Sequence, residues 1–262
     1  MSREFIDKIV IVTGGAAGLG RAITLEFARR GARVVCGDID PQAGQELLGL
    51  AAGLAGQVQF VQGDMGRAET CDRLVAAARA LGGVDVLCNN VGIQPASSFV
   101  PAHELDDAVW DAILTVNLKS HFWMVKRCIP EMKRRKGGVI INTASVQGLQ
   151  SQKAAAAYAA SKGGLLSLTR QLALEYAQDN IRVLAVAPGT FQTPLQVEIA
   201  KGITDKDYFP NLKKAYPMKR FGDPQELAEV VAFLAGPGAS FMTGECVTVD
   251  GGIMAQGGWA QQ

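Results

Sequence analysis

Residues 8–20 read K-I-V-I-V-T-G-G-A-A-G-L-G, and the organisation of the whole chain follows from this stretch. Ile9, Val10, Ile11 and Val12 are consecutive β-branched residues, the composition of a strand covered on both faces. The glycines that follow allow a tight turn, and a helix is expected to open near Gly18. The same alternation continues to the carboxyl end. Short apolar runs at 8–13, 33–38, 57–62, 84–89, 138–144, 181–187 and 246–249 read as strands. Between them, segments of helical periodicity begin near Gly18, Pro41, Arg67, Asp106, Ala155 and Pro224. Asp223-Pro224 supplies a cap followed by proline at the first helical position. The cationic run 133–136 falls where a helix ends, a place that suits positive charge.

Parallel strands joined by right-handed crossover helices are best satisfied by a doubly wound sheet. The expected architecture is therefore α/β: a single Rossmann-type domain over residues 1–262, with a seven-stranded, mainly parallel sheet and helices on both faces. Residues 188–222 break the rhythm. They carry Pro188, Pro194, Pro210 and Pro217 with only weak helical patterning, so an irregular flap with one or two short helices is expected at about 190–220. A long excursion of this kind is usually functional, often an active-site lid.

Composition narrows the partners. Apolar residues make up 48% and charged residues 19% of the 262, a globular balance. A formal net charge of +1 gives no reason to expect nucleic acid or an anionic membrane. No stretch approaches the ~20 apolar residues of a membrane span, and no secretory leader is recognisable in M-S-R-E-F-I-D-K. Cys36, Cys71, Cys88, Cys128 and Cys246 are odd in number and widely spaced, which suggests buried thiols and a cytoplasmic setting. With only His103 and His121 beside them, no metal site is expected.

The turn T-G-G-A-A-G-L-G at 13–20 lies where a strand meets a helix amino terminus, a place that stabilises a pyrophosphate. At the end of the second strand, V-V-C-G-D-I-D places Asp38 where a carboxylate can accept hydrogen bonds from an adenosine ribose and repel a 2′-phosphate. No arginine or lysine occupies Ala16, Ala17, Ile39 or Asp40, so NAD is favoured over NADP. Asp38 could equally be a turn residue or the cap of the helix beginning at Pro41, although Asp40 fits that capping role better.

The motif Y-A-A-S-K puts Tyr158 and Lys162 on one face of a helix, with Ser145 thirteen residues earlier at the end of a strand. A phenol ionises near pH 10, so Tyr158 can serve as a base only with a cation beside it, a role Lys162 could fill. Ser145 could stabilise charge growing on a substrate oxygen. With the glycine turn, N-N-V-G at 89–92, Asn117 and V-D-G-G at 249–252, the chain resembles the short-chain dehydrogenase/reductase family along nearly its whole length.

That resemblance implies an oxidoreductase that moves a hydride between NAD and a secondary alcohol or ketone. It assigns catalysis to Asn117, Ser145, Tyr158 and Lys162, with Lys162 also on the nicotinamide ribose and Asn117 holding a water of a proton relay. It places Gly14, Ala17, Gly18, Leu19 and Gly20 on the pyrophosphate side. Asp64 and the Met65 backbone would meet the adenine, and Asn90 and Gly92 its ribose. The nicotinamide loop would be Pro188, Gly189, Phe191 and Thr193. Val91 and Gly37 stand where relatives commonly have alanine.

For the substrate, Gln94, Gln147, Gln150, Gln152 and Gln192, with Lys153, suggest a polar hydroxy compound such as a sugar derivative, polyol or hydroxy acid. The alternative is a cyclic or steroid-like alcohol held by Phe191, Tyr208, Phe209 and Tyr216; Trp123 fits packing on a helix better. A third reading, a non-catalytic NAD-binding sensor, is disfavoured because Tyr158 and Lys162 are both present. Trp259, in a glycine-rich tail, suggests an anchored interface. The family resemblance implies a homotetramer, with a dimer as alternative.

Overall fold

The computed structural model describes residues 4–201 and 207–257. Its centre is a seven-stranded sheet: β1 (Ile9–Thr13), β2 (Arg33–Asp38), β3 (Gln57–Gln62), β4 (Val86–Asn89), β5 (Gly138–Thr143), β6 (Ile181–Pro188) and β7 (Cys246–Val249). The spatial order is β3-β2-β1-β4-β5-β6-β7, and every neighbouring pair is parallel. The sheet is thus wholly rather than mainly parallel.

Side chains on a strand alternate between faces, and β1 shows the consequence. Val10 and Val12 join one apolar layer with Ile23, Phe27, Leu227 and Val231, whereas Ile9 and Ile11 join the opposite layer with Leu74, Met124 and Ile140. All four β1 side chains are fully buried. Each contributes roughly 1.5–3 kcal/mol relative to exposure, which is why an unbroken apolar run is required here.

The first layer belongs to α1 (Gly18–Arg29) and α9 (Pro224–Ala235), which pack together, with α2 (Pro41–Ala51) beside β2 and β3. The second belongs to α3 (Ala68–Ala80), α5 (Ser120–Arg134) and α6 (Ala156–Tyr176), with α4 (Asp107–Leu114) leading into α5. Helix α9 starts on a complete capping box between Asp223 and Glu226 with Pro224 in its first turn. Asp40 caps α2 by accepting from the amides of Gln42 and Ala43, which leaves Asp38 free of that duty.

Two local departures matter. The helix expected from Asp106 is interrupted by one π turn, Thr115–Lys119, and Asn117 sits inside it. Such turns push a residue out of helical register and frequently occur at functional sites. The cationic helix end is also more than a solvated terminus: Lys133 pairs with Asp179 at 2.7 Å, and Arg135 with Asp85 at 2.8 Å. The flap forms two short helices, α7 (Pro194–Lys201) and α8 (Tyr208–Ala215). No helix among the described residues is long and apolar enough to cross a membrane. Trp259 lies outside the described residues.

Candidate active site

The strand order reverses between β1 and β4, and at that switch point an open α/β sheet leaves a crevice outside its carboxyl edge. A cavity of about 490 Å³ occupies it, running from Gly14, Ala17, Gly18, Leu19 and Asp38 to Ser145, Tyr158, Lys162 and the flap.

Backbone proximity makes the glycine turn what it is. A Cβ on Gly20 would sit 1.9 Å from the Gly14 carbonyl oxygen, and one on Gly14, whose φ is +60°, would sit 2.9 Å from Val91 Cα. Only glycine allows this approach of turn, helix and β4. Asn90 fastens the turn: its side-chain amide donates to the carbonyls of Thr13 and Gly14, both at 3.1 Å, and its backbone amide to Thr13 Oγ1. Asp38 accepts from the Ala16 amide through Oδ2 at 3.0 Å and from the Asp40 amide through Oδ1 at 3.3 Å. The carboxylate therefore stands directly beside the turn, at the end of the cavity away from Tyr158.

At the other end, Ser145 follows β5 in extended conformation and its Oγ accepts from the Gln147 amide at 3.1 Å. The short helix after Ser145 lies against α6 so closely that a Cβ on Gly148 would stand 2.8 Å from the Lys162 carbonyl. That contact sets the Ser145 hydroxyl beside the Tyr158 phenol on the first turn of α6, where it eases ionisation of the phenol. Lys162, one turn on, places Nζ 5.6 Å from the centre of the Tyr158 ring and donates to the Thr143 carbonyl at 2.7 Å.

Burial governs the titration of both groups. It pushes the Tyr158 phenol up to about 12, opposed by the hydrogen bond from Ser145, and pushes the Lys162 ammonium down to about 7. In the protein alone desolvation thus holds the phenol neutral at physiological pH.

Asn117 is wholly engaged with its neighbours. Its Oδ1 accepts from the Ile93 amide at 2.8 Å, and its Nδ2 donates to the Ile93 carbonyl at 2.9 Å and to Ser161 Oγ at 3.3 Å. Ser161 in turn donates to the Tyr158 carbonyl at 2.7 Å, so the π turn, the loop after β4 and the head of α6 form one unit. Below it a buried chain links Asn89 to Asn142 and Asn142 to Thr169, tying β4 and β5 to α6. His121, fully buried, meets the Val91 carbonyl through Nε2 at 3.0 Å, and its desolvation and the nearby Lys162 push its ionisation down to about 3. Thr143, Ser161, Asn142 and His121 escaped the sequence reading because single polar residues in apolar runs carry no spacing signal.

Most of the expected site residues converge on the one cavity. Gly92, Pro188, Gly189, Phe191 and Thr193 line it, as do Gln94, Gln147 and Gln152. Four do not. Gln192 is exposed and outside the lining, its backbone spent on the Gly222 carbonyl. Asp64 turns its carboxylate onto the Gly66 amide at 2.8 Å and is half-exposed beyond the cavity's edge. The Met65 side chain is buried in the second apolar layer. Gly20 lies behind the turn rather than in the lining. Trp123 also lies outside, beneath Lys119.

A glycine turn at the switch point of a wholly parallel sheet, with serine, tyrosine and lysine converging at its carboxyl edge, places the protein among the nicotinamide-dependent oxidoreductases. Comparison with known proteins narrows the class. A family model described as Enoyl-(Acyl carrier protein) reductase matches residues 14–254. A 3-oxoacyl-[acyl-carrier-protein] reductase FabG of Thermotoga maritima is 36% identical over 94% of this chain and 98% of its own length. A cis-4-hydroxycyclohexanecarboxylate dehydrogenase of Sinomonas cyclohexanicum is 35% identical over 97% of this chain and 100% of its own. The crystal structure of a 3-ketoacyl-(acyl-carrier-protein) reductase from Brucella melitensis complexed with NADH superposes with a TM-score of 0.86 at 32% identity, covering 95% of this chain and 98% of that one. The chain belongs to the short-chain dehydrogenase/reductase family and is an oxidoreductase.

Proposed function

We propose that this oxidoreductase is NAD-dependent and interconverts a secondary alcohol and its ketone, with Tyr158 as the acid–base residue. The observation that carries the reading is that Ser145, Tyr158 and Lys162 converge at one end of a cavity whose other end is the glycine turn and Asp38. The residues present fit a dinucleotide: the turn admits close backbone approach, and a helix amino terminus faces it. Asp38 suits ribose hydroxyls, and Lys162 is the sole lysine or arginine among the described residues lining the cavity; Arg21, near the turn, is spent on the Ala16 carbonyl at 2.6 Å and on Glu46 at 3.2 Å. Gly14, Ala17, Gly18 and Leu19 would hold the pyrophosphate, and Pro188, Gly189, Phe191 and Thr193 the nicotinamide end. Asp64 and the Met65 backbone would meet the adenine from the cavity's edge, and Gly20 lets α1 close against the turn.

When bound, NAD supplies the hydride acceptor. Ser145 donates a hydrogen bond to the substrate oxygen and stabilises the charge that grows there. In the reductive direction the Tyr158 phenol gives its proton to the substrate oxygen, and in the oxidative direction its phenolate, formed beside the Lys162 ammonium, takes the alcohol proton. Lys162, anchored by the Thr143 carbonyl, holds a positive charge next to the phenol. Asn117, through Ile93 and Ser161, fixes the head of α6, so that Tyr158 and Lys162 keep their spacing.

The substrate half is mixed in character. Gln94, Gln147 and Gln152 on one wall favour a polar hydroxy compound. Leu195, Ile199, Tyr208, Phe209 and Leu212 on the flap favour the second reading, a cyclic alcohol, and the cyclohexanecarboxylate dehydrogenase named above acts within that class. A homotetramer is the proposed assembly.

The test is formation of reduced cofactor from a panel of polyols, hydroxy acids and cyclic alcohols, with NAD and with NADP. The expected outcome is turnover with NAD at least about ten times better than with NADP, and loss of that preference in Asp38→Ala. A wild-type preference for NADP would refute the assignment of Asp38.

A further inference from the structure

Buried polar side-chain atoms ordinarily have partners, because leaving one unpaired costs free energy. Among the buried side-chain atoms left without a hydrogen-bond partner, two belong to residues lining the cavity: Nε2 of Gln94 and Oε1 of Gln147. Gln94 follows the loop pinned by Asn117 and is 2% exposed. Gln147 follows Ser145, its backbone amide fixed by the Ser145 hydroxyl. Both backbones are therefore held on either side of the reacting centre while both amides are free. The terminal torsion of glutamine is soft, so each amide can turn its polar atom into the adjoining space. One presents a donor and the other an acceptor.

The charge inventory adds a second constraint. Besides its tyrosines, the ionisable residues among the described residues lining the cavity are Asp38, at the far end, and Lys162, whose ammonium is taken by the Thr143 carbonyl. Nothing in this wall is built to neutralise a carboxylate or phosphate, and the opposite wall is the apolar flap.

We propose that Gln94 and Gln147 form a recognition pair for an uncharged second polar group on the substrate alcohol, a hydroxyl, ketone or carboxamide, while the carbon skeleton lies against the flap. This deepens the dehydrogenase reading and rests on it. A pair kept unsatisfied until substrate arrives discriminates strongly, because an analogue lacking the group leaves both amides unpaired. It also makes the cofactor-free protein less stable than it would be with apolar residues in these places.

The experiment measures kcat/KM with NAD for cyclohexanediol, cyclohexanol and hydroxycyclohexanecarboxylate in wild type, Gln94→Met and Gln147→Met, together with the melting temperature of each protein free of ligands. Wild type is expected to favour the diol over cyclohexanol by about tenfold or more, and over the carboxylate. Each substitution should bring the diol-to-cyclohexanol ratio toward one and raise the melting temperature by about 2 °C. An unchanged ratio in both variants or a preference for the carboxylate would overturn the proposal. So would a lowered melting temperature, which would mean that the amides hold the fold. Turnover of cyclohexanol as fast as the diol would remove the recognition pair alone, whereas no reduced cofactor from these three or from the wider panel of polyols and hydroxy acids would remove the dehydrogenase reading beneath it.

Discussion

The two ends of the cavity are built in opposite ways. At the dinucleotide end, Thr13, Asn90 and Asp38 each spend their polar atoms on the glycine turn, and the turn itself tolerates no added methyl group at Gly14 or Gly20. At the substrate end, the walls are flap helices joined by ring contacts and glutamines with unpaired amides. Tyr208 meets Phe209 at 5.1 Å, and Tyr216 meets Phe221 at 5.8 Å. Tyr216 ties the flap to the loop after β6 by accepting from the Thr190 amide at 2.7 Å, between Gly189 and Phe191. A ligand end shared by many enzymes can be held by fully satisfied backbone geometry. An end that distinguishes substrates keeps polar groups in reserve.

This contrast can be broken by substitution, and the sizes should differ. Gly20→Ala is expected to have the largest effect on stability, since the new methyl group meets the Gly14 carbonyl and the Asn90 amide; a loss of about 3 kcal/mol and of NAD binding is expected, read by thermal unfolding and calorimetry. Lys162 lies with Tyr158 at the end opposite the glycine turn. Burial lowers its ionisation from 10.5 to about 7. Between those values the unfolded chain holds a proton that the folded chain has shed, so the destabilisation from this group is full below pH 7 and fades as pH rises toward 10.5. Lys162→Met should therefore melt above wild type by most near pH 6, by about 2 kcal/mol, and by least near pH 10, while losing turnover. A pH-independent difference would contradict the burial argument. Phe209→Ala, on the flap, should cost only about 1 kcal/mol and act mainly on substrate KM.

The same contrast decides what could be read from the sequence. The β1 run, the glycine turn and Tyr158 with Lys162 were legible because strand burial, turn geometry and helical spacing each demand particular residues at fixed distances. Asp38 and Asp40 were separable because a helix cap must precede its helix, and the structure gives Asp40 that role. Gln192 and Gln94 looked alike in sequence, yet one is exposed and the other buried on the cavity wall. That outcome depends on how the flap folds back, which no local pattern encodes. The place of Asp64 was not legible for a similar reason: its Oδ1 closes the next turn at Gly66, outside the cavity lining. The π turn around Asn117 left no trace in hydrophobic periodicity, because one extra residue in a turn only rotates the helix beyond it.

The account stands on Tyr158 moving the proton, and the direct measurement is kcat and the NAD dissociation constant side by side in wild type and Tyr158→Phe, on any alcohol that wild type oxidises. Removing one hydroxyl from a partly buried ring leaves the dinucleotide end untouched, so NAD should bind within about threefold of wild type while kcat falls by roughly 10³. Turnover retained within about tenfold would show that another group transfers the proton, and would contradict the central claim.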